Sequence, residues 1–255
     1  MNAQKVRIRL DDLLVERGLA ADRARAGALL MGGRVRAGEG DGARLDRKPG
    51  ELVDPDLPLA VVESRRYVSR GGEKLEAALD AFSIALDGRV CLDVGASTGG
   101  FTDCLLRRGA ARVYALDVGR GQLAESLRTD PRVVVMERTH AARLAPDHPQ
   151  AVSLPEPIEV AVIDVSFIAL ARVLPGVAAQ LVRSGDVVAL VKPQFELPAA
   201  QVPKGVVRDE AHRLAAVAGA RAAAEEAGFQ VRGQITSPLR GPAGNVEYLL
   251  HLAPA

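Results

Sequence analysis

Short apolar runs alternate with helix-spaced apolar positions along most of this chain, and the alternation sets in near residue 89. Val90-Cys91-Leu92 is followed by a glycine-rich turn and then by a run with helical spacing over 101–108. Further apolar runs near 112–117, 132–136, 160–164 and 186–191 predict parallel strands separated by helices. Alternation of this kind gives a doubly wound α/β sheet, a Rossmann-like fold. Two late runs, 230–235 and 246–252, flank a Gly/Pro turn and predict an antiparallel hairpin at the sheet edge. Upstream, Lys74 opens an amphipathic helix with Leu75, Ala78, Leu79 and Phe82 on one face.

Residues 1–62 read as a separate small α+β domain. Ile8, Leu10, Leu13 and Leu14 fall at helical spacing and Gly18 ends the turn. A second helix is expected over 22–31, with Asp22 as its N-cap and Gly32-Gly33 as its stop. Arg34-Val35-Arg36 begins a short strand. From Met1 to Lys48 there are 11 Lys/Arg against 7 Asp/Glu. Arg9, Arg17, Arg23, Arg25, Arg34 and Arg36 are expected to make one basic face for phosphates, the alternative being an ordinary solvated helix pair. An acidic, proline-rich tail (Glu51, Asp54, Pro55, Asp56, Pro58) leads to a basic segment with paired glycines, 63–72, which reads as a hinge linker whose Arg65, Arg66 and Arg70 are expected to contact RNA as well. The larger domain is expected over 73–255.

The turn after the first strand of that domain carries the most chemistry. It runs Asp93-Val94-Gly95-Ala96-Ser97-Thr98-Gly99-Gly100-Phe101. Its glycines permit a tight turn and close approach of backbone to a ligand. The spacing G-x-x-x-G-G does not match the dinucleotide fingerprint G-x-G-x-x-G. Asp93 would also repel a pyrophosphate, whereas the ammonium and sulfonium of S-adenosyl-L-methionine suit a carboxylate at a strand end. The competing reading is a strand–turn–helix that holds no ligand. For an adenosylmethionine site, Gly95, Ala96, Ser97, Thr98 and Gly99 are expected around the methionine part. Asp117, at the end of the second strand, is expected on the ribose hydroxyls. Glu137, Arg138 and Thr139, after the third strand, are expected near the adenine.

Charged residues also fall directly at apolar strand ends. Asp164 ends Val160-Ala161-Val162-Ile163, Lys192 ends Val187-Val188-Ala189-Leu190-Val191, and Glu247 lies in the last run; Lys74 sits just before the sheet. A charge directly after a buried strand needs a partner or a task. Singly, each reads as a strand-end surface charge; four in one frame, beside an adenosylmethionine turn, point to a site. Lys204, Arg208 and Arg213 read either as phosphate contacts or as a charged helix start, and Ser237 to Gly244 forms a turn near Glu247 that reads as a gate.

These patterns carry two resemblances. Ile8-Arg9-Leu10-Asp11-Asp12-Leu13-Leu14, Gly18, Arg23, Ala26, Leu29 and Gly33-Arg34-Val35-Arg36 with Gly38 resemble the S4 RNA-binding fold over about 7–62, departing from it at Asp22, where Ser is common, and at Ala37, where Asn often stands. Lys74, Asp164, Lys192 and Glu247, within Gly71-Gly72-Glu73-Lys74, Asp164-Val165-Ser166-Phe167, Lys192-Pro193-Gln194-Phe195-Glu196 and Asn245-Val246-Glu247, resemble the K-D-K-E tetrad of FtsJ-type ribose 2′-O-methyltransferases. An S4 domain ahead of that tetrad is similar to the TlyA family, some members of which carry a historical haemolysin label. The resemblance implies adenosylmethionine as cofactor and 2′-O-methylation of cytidine in ribosomal RNA, 16S, 23S or both, of assembled subunits. It also implies Arg65-Arg66-Tyr67-Val68 as the family's hinge tetrapeptide with Tyr in place of Trp, while a cytoplasmic location is read from Cys91 and Cys104 as small buried residues of a reducing compartment. A ribose hydroxyl attacks only once its proton is removed or shared, and a neutral lysine can take it; a second lysine and burial favour that neutral form, while carboxylates oppose it. Lys192 is the expected base, with Lys74 and the two carboxylates holding it and the hydroxyl in line; exchange of the two lysines' roles stays open.

Composition narrows the alternatives. Net charge is +1, so global charge names no partner. Aromatics are 3% with no Trp, which argues against bases stacked on an aromatic sheet. Cys91 and Cys104 are expected to be small buried residues, and His140, His148, His212 and His251 show no metal-ligand spacing. The first ten residues lack a signal-peptide pattern, and no apolar stretch approaches a membrane span. Three rivals remain: a noncatalytic RNA-binding protein on a methyltransferase fold, a base methyltransferase, and a haemolysin-like membrane-active protein. The second is disfavoured because Asp164-Val165-Ser166-Phe167 stands where an N-P-P-Y-like turn would serve a base nitrogen.

Overall fold

The computed structural model describes residues 7–31, 33–39, 43–44, 47–62, 66–241 and 243–255. The chain divides into two compact units, Met1–Arg65 and Arg66–Ala255.

The first unit runs β1 (Ile8–Arg9), α1 (Leu10–Glu16), α2 (Arg23–Met31), β2 (Val35–Ala37), β3 (Leu52–Val53) and β4 (Leu59–Val61). β1 pairs antiparallel with β3 and β2 with β4. Ile8, grouped with the helix by its spacing, is instead a strand residue opposite Val53. Leu10, Leu13 and Leu14 of α1 bury against Ala26, Leu29 and Leu30 of α2, as the helical period requires. The Asp22 carboxylate accepts the Arg25 N–H at 2.7 Å, capping α2 as expected. Gly32 and Arg65 lie outside the described residues.

The second unit begins with Arg66. Residues 66–72, expected as linker, belong to this unit: Tyr67 is buried and the Val68 N–H donates to Asp103 Oδ2 at 2.9 Å. There follow α3 (Gly71–Phe82), β5 (Val90–Val94), α4 (Gly100–Arg107), β6 (Arg112–Leu116), α5 (Glu125–Arg128), β7 (Val133–Met136), β8 (Ile158–Ile163), α6 (Leu174–Gln180), β9 (Leu181–Val191), α7 (Pro193–Glu196), α8 (Glu210–Glu226), β10 (Phe229–Thr236) and β11 (Tyr248–Pro254). The seven strands lie in the order β10-β11-β9-β8-β5-β6-β7. β9, β8, β5, β6 and β7 are parallel, while β11 runs antiparallel to both β9 and β10. β9 starts at Leu181, five residues before the apolar run, because Arg183-Ser184-Gly185 precedes its buried half.

The two-residue period of the strands sorts their side chains between two cores. Leu92, Val94, Ala161, Ile163 and Val187 face one. Cys91, Val160, Val162, Val188, Leu190 and Leu249 face the other, together with Leu75, Ala78 and Leu79 of α3. Cys91 and Cys104 are both buried. Strand order reverses direction between β5 and β8, so the crevice outside their carboxyl ends is where this topology places a ligand.

Candidate active site

Continuing the strand period beyond the sheet puts Asp164, Lys192 and Glu247 on the α3 side. Asp164 follows Val160 and Val162, Lys192 follows Val188 and Leu190, and Glu247 precedes Leu249, all of which face the core shared with α3. Tyr248 pairs with Val191, so the same register sets Glu247 opposite Lys192. β11, β9 and β8 are neighbours, so three candidate side chains sit at the ends of three adjacent strands, about 4.8 Å apart per strand. Lys74 comes from the first turn of α3 and completes the group.

The four residues form two ion pairs. Lys74 Nζ pairs with Glu247 Oε2. This pair is closed off, Lys74 being 8% and Glu247 1% exposed. Lys192 Nζ lies 2.5 Å from Asp164 Oδ1 and donates to Ser166 Oγ at 3.0 Å. The Lys192–Asp164 contact is an ion pair without hydrogen-bond alignment, since Asp164 Oδ1 is buried with no hydrogen-bond partner. The Lys192 ammonium also lies 6.0 Å from the Phe195 ring centroid. Phe167, 90% exposed and at φ 65°, packs on Phe195 with ring centroids 4.9 Å apart. After Phe195, Glu196 turns inward; burial raises its carboxyl above the ordinary range, and it accepts the Leu170 N–H at 3.1 Å.

A cavity of about 560 Å³ opens beside Asp164. That is the size of a site for a nucleoside-like molecule. Its walls come from the ends of β5, β6 and β8 and the segment after β7: Val94, Gly95 and Ser97, Leu116 to Val118, Thr139 to Ala141, and Asp164 to Ile168, with Gln122. Gly95 has φ 91°, and a Cβ there would stand 2.4 Å from the Asp164 carbonyl oxygen. Only glycine lets the loop pass this close to the β8 end. Asp117 fixes the loop on the other side, its two oxygens accepting the Ser97 N–H at 2.8 Å and the Gly119 N–H at 2.6 Å.

The residues expected around a cofactor divide. Gly95, Ser97, Asp117 and Thr139 line the cavity. Ala96 and Glu137 line a small separate recess behind Asp117. Glu137 is tied to Arg128 and to the Gly121 N–H at 2.8 Å, and Arg138 is exposed at φ 56°. Thr98 and Gly99 belong to the turn without facing the cavity, and Gly99 packs on Leu123 and Leu127. Asp93 is the clear displacement. It lies inside β5 rather than at its end, fully buried on the α4 side, where it accepts the Thr102 hydroxyl at 2.6 Å. Burial pushes its carboxyl up to about 7; the Thr102 hydrogen bond opposes this, and the Asp164 charge adds to it. Cavity residues that the sequence does not single out are Val118, Gln122, His140, Ala141 and Ile168, supplied by the segments after β6, β7 and β8.

The arginines expected to make a basic face are partly neutralised by their own chain. Arg9 pairs with Asp11 at 2.7 Å and Arg23 with Asp12 at 2.6 Å. Arg17 donates to the Leu57 and Pro55 carbonyls, and Arg34 to the Val62 carbonyl. Arg25 and Arg36 are exposed. In the second unit Arg66 pairs with Glu76 at 2.6 Å, and Arg70 is exposed ahead of α3. Among the described residues, no helix is long and apolar enough to cross a membrane, and no cluster of His, Cys, Asp and Glu has metal-site geometry.

Comparison with known proteins gives the family and the fold. Residues 67–253 match the family model of the FtsJ-like methyltransferases. The chain is 50% identical over 249 residues to the 16S/23S rRNA (cytidine-2′-O)-methyltransferase TlyA of Mycobacterium tuberculosis, covering 96% of this chain and 90% of that one. A solved structure of a protein from Streptococcus thermophilus designated a hemolysin is 42% identical, with a TM-score of 0.72 over 98% of this chain and 90% of that one. An S-adenosylmethionine-dependent methyltransferase from Listeria monocytogenes shares the fold at 16% identity, with a TM-score of 0.54 over 73% of this chain and 98% of that one.

Proposed function

Because this chain belongs to the FtsJ-like methyltransferases, and within them to the TlyA group, we propose that it methylates the ribose 2′-hydroxyl of a cytidine in ribosomal RNA, with S-adenosyl-L-methionine as methyl donor. The observation that carries this reading is Asp164, which is paired with Lys192 and also lines the cavity. One carboxylate thus joins the Lys192 end of β9 to the cavity.

The residues present fit adenosylmethionine. Gly95 gives the close backbone approach such a ligand needs. Asp117 supplies acceptors at the end of β6, where a ribose is held. Val94, Leu116, Ala141 and Ile168 supply apolar wall. The cofactor when bound supplies an electrophilic methyl group on a sulfonium. Everything else falls to the chain. Lys192, paired with the cavity residue Asp164, acts in its neutral form: its ammonium first gives a proton to solvent, and the amine, directed by Ser166 and Asp164, then takes the proton of the 2′-hydroxyl as the oxygen attacks the methyl group. Lys74 is held by Glu247 behind it and positions the same oxygen. Alignment of oxygen, methyl and leaving sulfur is the main contribution, since holding reactants in near-attack geometry removes a large part of such a barrier.

The first unit serves in this reading as an S4-type RNA-holding module, with Arg25 and Arg36 as exposed phosphate contacts. The substrate is ribosomal RNA in ribosomal subunits, which puts the work in the cytoplasm. The test is methyl transfer from radiolabelled adenosylmethionine to ribosomal subunits, with the product mapped by mass spectrometry. Lys192→Ala is expected to abolish transfer while leaving adenosylmethionine affinity within about twofold of wild type. Normal transfer by that variant refutes the base assignment. A wild-type protein that methylates no ribose refutes the function.

A further inference from the structure

A second recess, of about 340 Å³, lies beside the strand edge that carries Glu247. It is walled by Val206 to Arg208, Arg213, Arg240, and the turn ending in Gly244 and Val246. Val246 is the chain neighbour of Glu247 but packs on the opposite face of the sheet, with the α8 core, so the recess lies at the same strand end as the tetrad and across the sheet from it.

Its three arginines are used unlike many others in this unit. Arg89, Arg107, Arg108, Arg112, Arg128 and Arg132 are each tied to a carboxylate. Arg213 instead donates to the Arg208 carbonyl at 2.9 Å, and Arg240 to the Gly244 carbonyl at 3.2 Å. Among the described residues none of the three forms an ion pair with an acid. Of the acids nearest in sequence, Asp209 is occupied in capping α8, where it accepts the Ala211 N–H at 2.8 Å, and Glu210 is exposed and forms no ion pair with any of the three. Arg213 Nε is buried without a partner. Carbonyl contacts fix a guanidinium in place while leaving its charge uncompensated and its other N–H groups free.

The recess is also prebuilt. Asn245, buried between its two walls, accepts the Val207 N–H and donates to the Gly205 carbonyl, both at 2.9 Å. Gly241 and Gly244 close the turn by backbone hydrogen bonds of 2.9 and 2.8 Å. Three unneutralised guanidinium groups in a rigid concave site make a receptor for a tetrahedral oxyanion, which accepts paired N–H donors from each fork.

We propose that Arg208, Arg213 and Arg240 hold a backbone phosphate of the RNA strand whose ribose enters the tetrad. This deepens, and rests on, the reading of the chain as an RNA ribose methyltransferase. The contact sets the strand's register, so that one hydroxyl faces Lys192 and its neighbours do not. It carries no base preference.

The test uses the full chain, ribosomal RNA and two separate readouts, RNA affinity against salt and methyl transfer. Arg208→Ala/Arg240→Ala changes two exposed side chains, and unchanged adenosylmethionine affinity shows that the unit remains folded. The variant is expected to bind RNA about tenfold or more weakly, as loss of charge-assisted hydrogen bonds does. The slope of log affinity against log salt should become shallower by about 0.7 to 0.9 for the phosphate released. Arg208→Lys/Arg240→Lys should recover the slope but only part of the affinity, because the ammonium lacks the fork. Wild-type affinity and slope in the double alanine variant overturn the inference while leaving the methyltransferase reading standing. Wild-type protein that binds RNA without transferring methyl overturns the methyltransferase reading instead, and the slope still decides the recess. Wild-type protein that binds no RNA overturns both.

Discussion

The two ion pairs of the site differ in burial, and this predicts different costs for removing their acids. Glu247→Ala leaves Lys74, 8% exposed, as a charge without its partner. Stranding one member of a buried pair costs about 3–5 kcal/mol. In a unit of this size each kcal/mol moves the melting midpoint by about 2–4 °C, so the midpoint should fall by roughly 6–20 °C. Asp164→Ala is milder. The stranded Lys192 is almost as enclosed as Lys74, 12% against 10% exposed at the side chain, but it keeps the Ser166 hydroxyl as an acceptor, and the acid it loses is 23% rather than 1% exposed. The screened pair contributes about 1 kcal/mol, or roughly 2–4 °C. Both variants should lose methyl transfer by more than about 100-fold, the scale of a lost acid–base or positioning group. Calorimetry of the full chain alongside a radiolabel transfer assay separates stability from chemistry. Equal midpoint shifts for the two variants, or the larger shift for Asp164→Ala, would refute the argument that Glu247 neutralises a buried Lys74.

Two further outcomes follow from close contacts and buried charge. A Cβ on Gly241 would stand 2.5 Å from Glu247 Oε1, so Gly241→Ala should displace that carboxylate and lower kcat by about 100-fold, the cost of a misplacement near 1 Å, with adenosylmethionine affinity unchanged in a binding titration. For Asp93, the folded carboxyl titrates near 7 and the unfolded one near 3.9, so the native state holds the extra proton between them. The sign is therefore a stability that falls as pH rises from about 4 to about 7 and then levels, and Asp93→Asn should exceed wild type by a few kcal/mol at pH 8 and match it near pH 4 in denaturant titrations; a difference that does not vary with pH contradicts the buried-charge account.

The sheet was legible in the sequence because its strands are buried on both faces and so read as uninterrupted apolar runs. The tetrad was legible for a related reason: Asp164 and Lys192 directly follow such runs, where a charge has few structural uses. Asp93 misled because the run Val90-Cys91-Leu92 hides where the strand stops. The strand continues through Val94, which turns the Asp93 side chain into the α4 core and leaves the next residues to face the cavity. The hairpin was foreseen, but not that β11 would insert between β10 and β9, since strand order depends on which faces match rather than on periodicity. His140 and Ile168 were illegible because they sit on irregular segments whose course is set by the strands they connect. Arg9 and Arg23 looked free because a linear count of charge does not show Asp11 and Asp12 folding back against them.

Lys74 and Glu247 are 173 residues apart, one in the first helix of the catalytic unit and the other at the head of its last strand. A chain emerging from its N-terminus therefore presents the amine long before the acid that steadies it exists. Until β11 docks against β9, the site lacks a member and its lysine has no counter-charge. On the roles proposed for the tetrad, a chain ended before β11 lacks Glu247 and is expected to transfer no methyl.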